Sequence, residues 1–531
     1  MSEDANILTL FDAHFAEVCA FLDARPSGES GVDRGDPDVR RIVEAMAYFS
    51  ARSQSALERG MRSAIERMVS VPVSDLATVL PAAGLVRATP SIDLDGVASL
   101  PEGTILRVAT ASNGSPKLEE TSLFSTLFAL EIRPIELVSA QVDRSGRAPA
   151  AVLKLRASSP QRGAFELAVL VRRMDSYRPS ANLFDAIKRS AQRVTVRFDQ
   201  AASQAVDLSF GVDAQRCSKL VASPLAFARM LLQLPEQDLL LRFALPASDR
   251  PWSETEVRIE LSERWPSTLT VDRSDFALFV VPMINAWSDP CVPLTFAAKD
   301  DALPLRLGVP RAGAELLRVV GVYDADKELR PLIPLALGTQ LEGWELLEPS
   351  GGPQLRLRVS DPSQLPMKTV VDAHWSQPSL WRSSASASRV TPQRQVAKAQ
   401  LAPLGLVRRA QQSSLRAQSS WALDVAALRS RASLNRAELV ALLQGMGAVG
   451  ESPFASVVHS LEVDPVRVEI EAVTGSLRRV LTLRWNVVDD ESAALARQLE
   501  LVVGRVVDTL FDQSVVLAQS DNDDSGAGRW A

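Results

Sequence analysis

Reactive side chains are scarce in this 531-residue chain. Its three cysteines, Cys19, Cys217 and Cys291, are odd in number and far apart. Such usage supports neither a disulfide framework nor a thiolate metal site, and it fits a reducing compartment. The three histidines, His14, His374 and His459, lie in separate segments, and no pair has the spacing of a helical zinc motif. His14, beside Phe15 in a helical run, reads as a half-buried structural histidine. The sequence holds neither a Gly-Lys-Ser/Thr phosphate loop nor a Gly-x-Ser-x-Gly elbow. Long apolar runs are also missing. The stretch Phe276 to Val281 stops at Pro282, well short of a bilayer's thickness. The opening Met1-Ser2-Glu3-Asp4-Ala5-Asn6 is acidic where a secretory signal is basic, so the expectation is a cytoplasmic protein without direct membrane insertion.

What is present is the balance of a globular protein: 46% hydrophobic and 23% charged residues, enough to bury large cores. The length suggests roughly three to four domains. The net charge of -6 argues against wholesale binding of nucleic acid. Charge is unevenly placed, however. No acidic residue stands between Asp372 and Asp424, whereas Arg382, Arg389, Arg394, Lys398, Arg408, Arg409 and Arg416 do. With seven positive charges in that segment, the remainder of the chain holds -13. One reading is a solvated linker or surface loop; the sharper one is a docking segment for an acidic partner. Base-stacking aromatics are sparse there, which disfavours nucleic acid.

Periodicity divides the chain. Leu8, Phe11, Phe15, Val18 and Leu22 recur at helical steps. Asp36-Pro37 then reads as a helix start, with a capping carboxylate followed by a residue whose missing amide is no loss. Behind it Val39, Ile42, Val43, Met46 and Phe49 form an apolar stripe expected to be buried. From about residue 90 the texture becomes short β-branched runs between Pro, Gly and Ser punctuation. Such runs span 104–108, 151–155, 168–171, 194–198, 239–245, 257–261 and 277–281, with a helix at 225–234. Prolines at 304, 310, 331 and 334 predict turns and edge strands. A helix at 435–443, paired strands at 463–473 and 479–487, and a long helix at 494–511 follow.

The expected fold class is therefore α+β and multidomain: a helical N-terminal region, β-rich domains with interspersed helices, and a C-terminal strand pair plus long helix. The expected segments are 1–89 (helical), 90–245 and 246–372 (β-rich), 373–423 (the basic linker or loop), 424–520 (α+β) and 521–531 (a tail).

Three short phrases invite chemistry and have blander readings. Gly445-Met446-Gly447-Ala448-Val449-Gly450 matches a dinucleotide fingerprint, but it follows a helix and is broken by Glu451-Ser452-Pro453, so it reads as a helix stop. Asp489-Asp490-Glu491 stands where carboxylates cap a helix. Asp521-Asn522-Asp523-Asp524 is too short for a calcium loop. No catalytic, cofactor-binding or metal-ligating residue is expected.

Several phrases follow one another in a set order: Asp36, Pro37 and Val39 leading to an Ala-Arg ending at Arg52; Pro90-Ser91 opening a strand; Leu100-Pro101-Glu102-Gly103-Thr104; Pro282 with Asn285 and Trp287; and Trp421 followed by Ser433-Leu434-Asn435. That order resembles the TssF family (also called VasA or ImpG), a baseplate wedge component of the type VI secretion system. Read without the family, the phrases are architectural. Pro282 would end a strand, Asn285 would fold onto nearby backbone in a turn, and Leu100 to Gly103 would turn tightly before Thr104 starts a strand. The resemblance implies a structural wedge subunit with no cofactor. Its implied partners are a TssG-like protein, a second copy of itself, and TssK-, TssE- and spike-hub-like components, in a baseplate docked at the inner membrane. Two other classes stay open on the residues alone. One is a wedge protein of a phage-like tail or extracellular injection device; the other is a β-rich hydrolase using paired carboxylates such as Asp489 and Asp490.

Overall fold

The computed structural model of the protein describes residues 3–23, 36–55, 57, 78–110, 121–217, 219–221, 223–300, 302–335, 342–347, 352–381, 384–394, 398–411, 435–447, 452–464, 467–470, 477–487, 489–510 and 515–519. The chain forms two compact units, Met1–Pro72 with Gln418–Ala426, and Val73–Ala417 with Ala427–Ala531.

The first unit contains α1 (Glu3–Asp23) and α2 (residues 37–55). Asp36 starts α2 as its sequence suggests: its Oδ1 accepts from the Asp38 amide at 2.9 Å and its carbonyl from the Arg40 amide at 3.1 Å. His14 is half-buried, with Nε2 2.6 Å from Gln54 Oε1. The expected stripe, however, is split. Val43, Ala47, Ala51 and Ser55, at four-residue steps, are the buried face. Ile42, Met46 and Phe49 are 60, 59 and 65% exposed. Period alone merges two adjacent apolar faces of one helix. The face of smaller side chains is the one that closes, because small residues let neighbours approach.

In the second unit the chain runs through β1 (Ala83–Pro90), β2 (Ala98–Leu100), β3 (Ile105–Thr110), β4 (Thr121–Thr126) and β5 (Leu130–Ile132). It continues through β6 (Ile135–Asp143), β7 (Ala150–Gln161), β8 (Phe165–Val171), α3 (Tyr177–Ser190), β9 (Ala191–Phe198), β10 (Gln204–Ala205) and β11 (Leu208–Phe210). Then come α4 (Pro224–Gln233), β12 (Leu240–Leu245), β13 (Trp252–Leu261), β14 (Phe276–Leu278), β15 (Val280–Ile284), β16 (Ala286–Pro290) and β17 (Leu294–Phe296). Next are β18 (Ala302–Pro304), β19 (Glu315–Asp324), β20 (Arg330–Leu332), β21 (Gly343–Leu347), β22 (Gln354–Arg358), β23 (Met367–Ser376), β24 (Ala385–Pro392) and β25 (Ala399–Arg408). The last elements are α5 (Arg436–Gly445), α6 (Ala455–Val458), β26 (Leu461–Val463), β27 (Arg467–Ile470), β28 (Leu477–Trp485), α7 (Asp490–Leu510) and β29 (Val515–Gln519). The α+β class and the order of its regions are as the sequence indicates.

Six strands close a barrel in the order β1-β15-β4-β3-β24-β25. Its interior is filled by Val86, Leu106, Val108, Phe124, Met283 and Val407, with Trp381 packed among them. Trp381 meets Phe124 edge-on at 5.4 Å, and its indole N–H donates to Ser122 Oγ at 2.9 Å. A sheet ordered β16-β23-β19-β20, with β17 on β23, has its own core around Trp287, Phe296 and Trp375. Two further sheets run β10-β9-β13-β7-β6 and β11-β12-β8-β14. Smaller ones are β18-β22-β21, β2-β5, and β26-β28-β27 with β29 parallel to β28.

The barrel corrects several sequence-based expectations. β1 lies inside the segment expected to be helical, and the barrel draws its strands from both sides of the expected boundaries at 245/246 and 372/373, the second of which falls inside β23. The described part of 373–423 is no linker: β24 and β25 are two of the six staves. Its Ser- and Ala-rich composition suits small outward positions as well as it suits a loop. Pro90-Ser91 ends β1 instead of opening a strand, with the Ser91 amide donating to the Lys398 carbonyl at 2.8 Å. Pro282 lies mid-strand in β15, where its carbonyl accepts from the Leu127 amide at 2.9 Å just past the end of β4, while the residue register to β4 begins only at Met283 and requires no amide from Pro282. The prolines at 304 and 331 do fall at a strand end and in an edge strand, as expected.

α3, α4 and α7 pack together in the second unit. α7 buries Leu495, Leu499, Val503 and Val506. Arg497 on α7 grips Asp185 on α3 with Nε at 2.9 Å and Nη2 at 2.6 Å. At the start of α7, Asp489 accepts from the Ser492 amide at 2.7 Å and its hydroxyl at 2.8 Å, the cap that the sequence indicates. α5 stops at Gly445, and Gly447 takes φ +99°, so the glycine-rich phrase begins as a helix stop.

Candidate interaction surfaces

Among the described residues, no cluster of three or more His, Cys, Asp or Glu is placed to hold a metal ion, and no helix is long and apolar enough to cross a membrane. The buried Cys291 thiol is pushed up to about 12, first by burial and then by Asp372, which makes it a poor nucleophile. His374 on β23 is driven down to about 4 by burial and by Arg318. The Asp489 carboxyl is held below its ordinary range, chiefly by the hydrogen bonds from Ser492, and so stays an ionised cap rather than a proton donor. The described chemistry is that of packing and pairing.

Apart from Pro90 and Ser91 at the end of β1, the described family-like residues separate into four places. Asp36, Pro37 and Arg52 are exposed on α2, and Val39 is half-buried there. Leu100 is buried at the end of β2; Pro101 and Gly103, with φ +69°, turn the chain, and Thr104 Oγ1 donates to the Pro101 carbonyl at 2.7 Å. Asn435 caps α5 in a reciprocal box with Glu438, each amide accepted by the other's side chain at 2.9 Å. Trp421, Ser433 and Leu434 lie outside the described residues.

The fourth place is a buried polar network among the described residues, built around Asn285. Its Nδ2 donates to the Leu123 carbonyl at 2.6 Å, and the Leu123 amide donates to Gln377 Oε1 at 2.9 Å. The Gln377 amide returns to Asn285 Oδ1 at 2.8 Å, and Gln377 Nε2 reaches the Ala312 carbonyl at 2.8 Å. The Ser376 hydroxyl also donates to Asn285 Oδ1, and the Asn285 amide to the Ala82 carbonyl at 2.7 Å. Asn285 is wholly buried. The expected local turn is thus replaced by a long-range clasp: it ties β4 and the start of β1 to the end of β23, at the single residue that joins β15 to β16. Trp287, two residues on, packs in that sheet's core with the Arg311 guanidinium 5.7 Å from its ring. Gln377 carries no local sequence signal and is not among the residues the sequence singles out; only its partners' distant positions make it important.

Among the described residues of the basic segment, Arg408, Lys398 and Arg409 meet different partners. Arg408 is paired with Glu236, and Lys398 stands 3.9 Å from Asp95. Arg409 offers its amide to Ser384 Oγ and its carbonyl to Gln233. Arg389 and Arg394 are exposed, while Arg382 and Arg416 lie outside the described residues. A cleft of about 660 Å³ lies elsewhere, lined by Phe128, Phe165, Phe279, Arg133 and Arg242 among others. Its arginines are matched by carboxylates: Arg133 meets Glu131 at 3.2 Å, and Arg242 meets Glu166 at 3.8 Å.

Comparison with known proteins follows the same line as the phrases. Residues 13–208 match the family described as type VI secretion system, TssF. A chain in a cryo-electron microscopy structure of the type VI secretion system TssK-TssF-TssG baseplate subcomplex superposes with a TM-score of 0.64 at 12% identity. That match covers 91% of this chain and 96% of the other. A chain in a structure of the baseplate complex from the type VI secretion system gives a TM-score of 0.55 at 12% identity, covering 97 and 96%. At such identities the superpositions speak for the fold. A search of curated proteins by sequence finds no match.

Proposed function

We propose that this chain, a TssF-family protein, is a structural wedge subunit of a type VI secretion baseplate, assembling with TssG-like and TssK-like proteins. The observation that carries the reading is the family match over residues 13–208, continued by a fold likeness across most of the chain. Two physical features support it. The described interior invests its polar groups in clasps such as Asn285–Leu123–Gln377, which stiffen a frame. The first unit leaves Ile42, Met46 and Phe49 in water, a stripe at helical spacing suited to an apolar helix face of another chain.

The finer reading is mechanical. The subunit pairs with a second copy within the wedge, contacts TssE-like and hub-like components, and acts on the cytoplasmic side of the inner membrane without inserting in it. Wedge interfaces hold one arrangement until triggering and then shift to start sheath contraction. Two arrangements separated by a few kcal/mol suffice for such a switch. The test is co-expression with TssG-like and TssK-like proteins and mass measurement of the product. A single defined complex is expected; a monodisperse monomer that ignores both proteins overturns the reading.

A further inference from the structure

Between β8 and α3 the chain makes a turn that is both strained and firmly held. Met174 and Asp175 are consecutive non-glycine residues at φ +52° and +51°, a conformation that L side chains rarely adopt. The turn is nonetheless fixed from several sides. The Arg173 amide donates to Ser180 Oγ at 2.7 Å, the Ser180 hydroxyl donates to the Ser176 carbonyl at 2.5 Å, and the Arg172 amide donates to the Asp275 carbonyl at 2.7 Å. The Arg173 side chain anchors on the Thr270 carbonyl at 2.8 Å. What this arrangement presents is an apolar knob: Met174 is 82% exposed. Strain of this kind persists where the surroundings over-determine it, and it clusters at functional contacts.

Arginines stand on the turn and on the elements linked to it. Arg172 and Arg173 flank it in sequence. Arg273 lies in the short helical turn that ends at Asp275, the residue bonded to Arg172. Arg87 on β1 is paired with Val280, at the start of the strand that follows β14. The field at Arg87 is positive: its guanidinium pKa is lowered by partial burial, then by the charges of Arg273 and Arg172. The carboxylates nearby are engaged. Asp175 meets Arg172 at 3.1 Å, Asp272 accepts from the Ser274 amide and hydroxyl at 2.9 Å, and Asp275 accepts from the Asp272 amide at 2.9 Å. Among the described residues Arg87 and Arg273 have no ion pair.

We infer that the Met174 turn, with Arg87, Arg172 and Arg273 around it, is a docking site for a partner-protein segment that carries carboxylates beside a small apolar pocket. Methionine and arginine are the side chains enriched at protein interfaces. All the cations are arginines, whose planar forks suit carboxylates. A stacking surface for bases is missing, since Phe276 and Phe279 are buried. Because the turn is rigid before binding, little ordering is needed on contact.

The test rests on the proposed baseplate role and uses the full chain co-expressed with TssG-like and TssK-like proteins. Two variants are compared with the wild type: Arg87→Glu with Arg273→Glu, and Met174→Gly. Glycine relieves the strain at φ +52°, so Met174→Gly should melt no lower than the wild type while its complex weakens by about tenfold or more. The double charge reversal should weaken the complex at least as much, whereas Arg147→Glu, an exposed arginine on another loop, should leave it intact. A photo-crosslinking residue at position 174 should attach to an Asp/Glu-bearing segment of a partner. A wild-type complex insensitive to both variants, or a crosslink to a segment without carboxylates, overturns this inference alone. Failure of the wild-type complex to form overturns it together with the baseplate role. Duplex DNA bound by the wild type and released by the double variant overturns it in favour of a nucleic-acid site.

Discussion

Asn285 shows how much of this frame rests on single side chains. Replacing it by leucine keeps the volume but strands the Leu123 carbonyl and the Gln377 amide away from water. Each buried group left unpaired costs about 1–3 kcal/mol. Asn285→Leu should therefore destabilise the second unit by about 3 kcal/mol or more, read as a lower urea midpoint. Asn435→Ala, which removes only a helix cap, should cost about 1 kcal/mol. Equal effects from the two would mean that the clasp has no special weight. Two buried titrating residues should give opposite pH slopes. Glu500 on α7 is pushed up to about 7 by burial, against the opposing pull of Arg497, from an ordinary value of 4.5. Between those values the folded state holds a proton that the unfolded state has lost, so stability is present below about 4.5 and falls as pH rises through about 7. Glu500→Gln should flatten that fall, gaining on the wild type at pH 8 but not at pH 4.5 in melting temperature. His374, lowered to about 4, binds its proton more weakly when folded, so its contribution is lost as pH falls from 6.5 towards 4. His374→Gln should remove that acid-side loss.

At the scale of elements, the helical layer is the most exposed to a single failure. Asp185 is nearly buried on α3 and is held by Arg497 from α7, with Arg189 3.2 Å away on its own helix. Arg497→Met keeps most of the stem packing and removes the long-range partner of a buried carboxylate. Breaking a buried pair from one side typically costs about 3–5 kcal/mol; Arg189 remains as a partial substitute, so about 2–3 kcal/mol is expected. Amide exchange should then quicken in both α3 and α7, and exchange confined to α7 would show that the pair does not couple them. Elements of this kind were legible from the sequence wherever the signal is local. The Asp36-Pro37 start, the helix from residue 435, the Asp489 cap and the Leu100–Gly103 turn all depend on residues within a few positions of each other. The barrel was not legible, because β1 must find β15 and β25 across some two hundred and three hundred residues, and nothing local in Ser- and Ala-rich β24 marks it as a stave. The roles of Pro282 and Asn285 are not local either, since the Leu127 amide on the Pro282 carbonyl and the Gln377 amide on Asn285 come within reach only once the chain has folded.

For the whole molecule the decisive quantity is what it leaves unburied. Ile42, Met46 and Phe49 each remain more than half exposed, although Val43, Ala47 and Ala51 on the adjacent face are buried. Burying one large apolar side chain contributes about 1.5–3 kcal/mol, so three in one contact are worth several powers of ten in affinity. Ile42→Ser, Met46→Ser and Phe49→Ser in one chain should leave the melting of the second unit unchanged, because none of its described core uses them. The helical signal of the first unit should also persist, since its closed face is untouched. What should disappear is association: at equal concentration the triple variant should sediment apart from the TssG-like and TssK-like proteins of the proposed complex. Loss of helical signal instead would mark the stripe as internal packing. Persistence of the complex would move the contact elsewhere on the surface, with the Met174 turn the next face to examine.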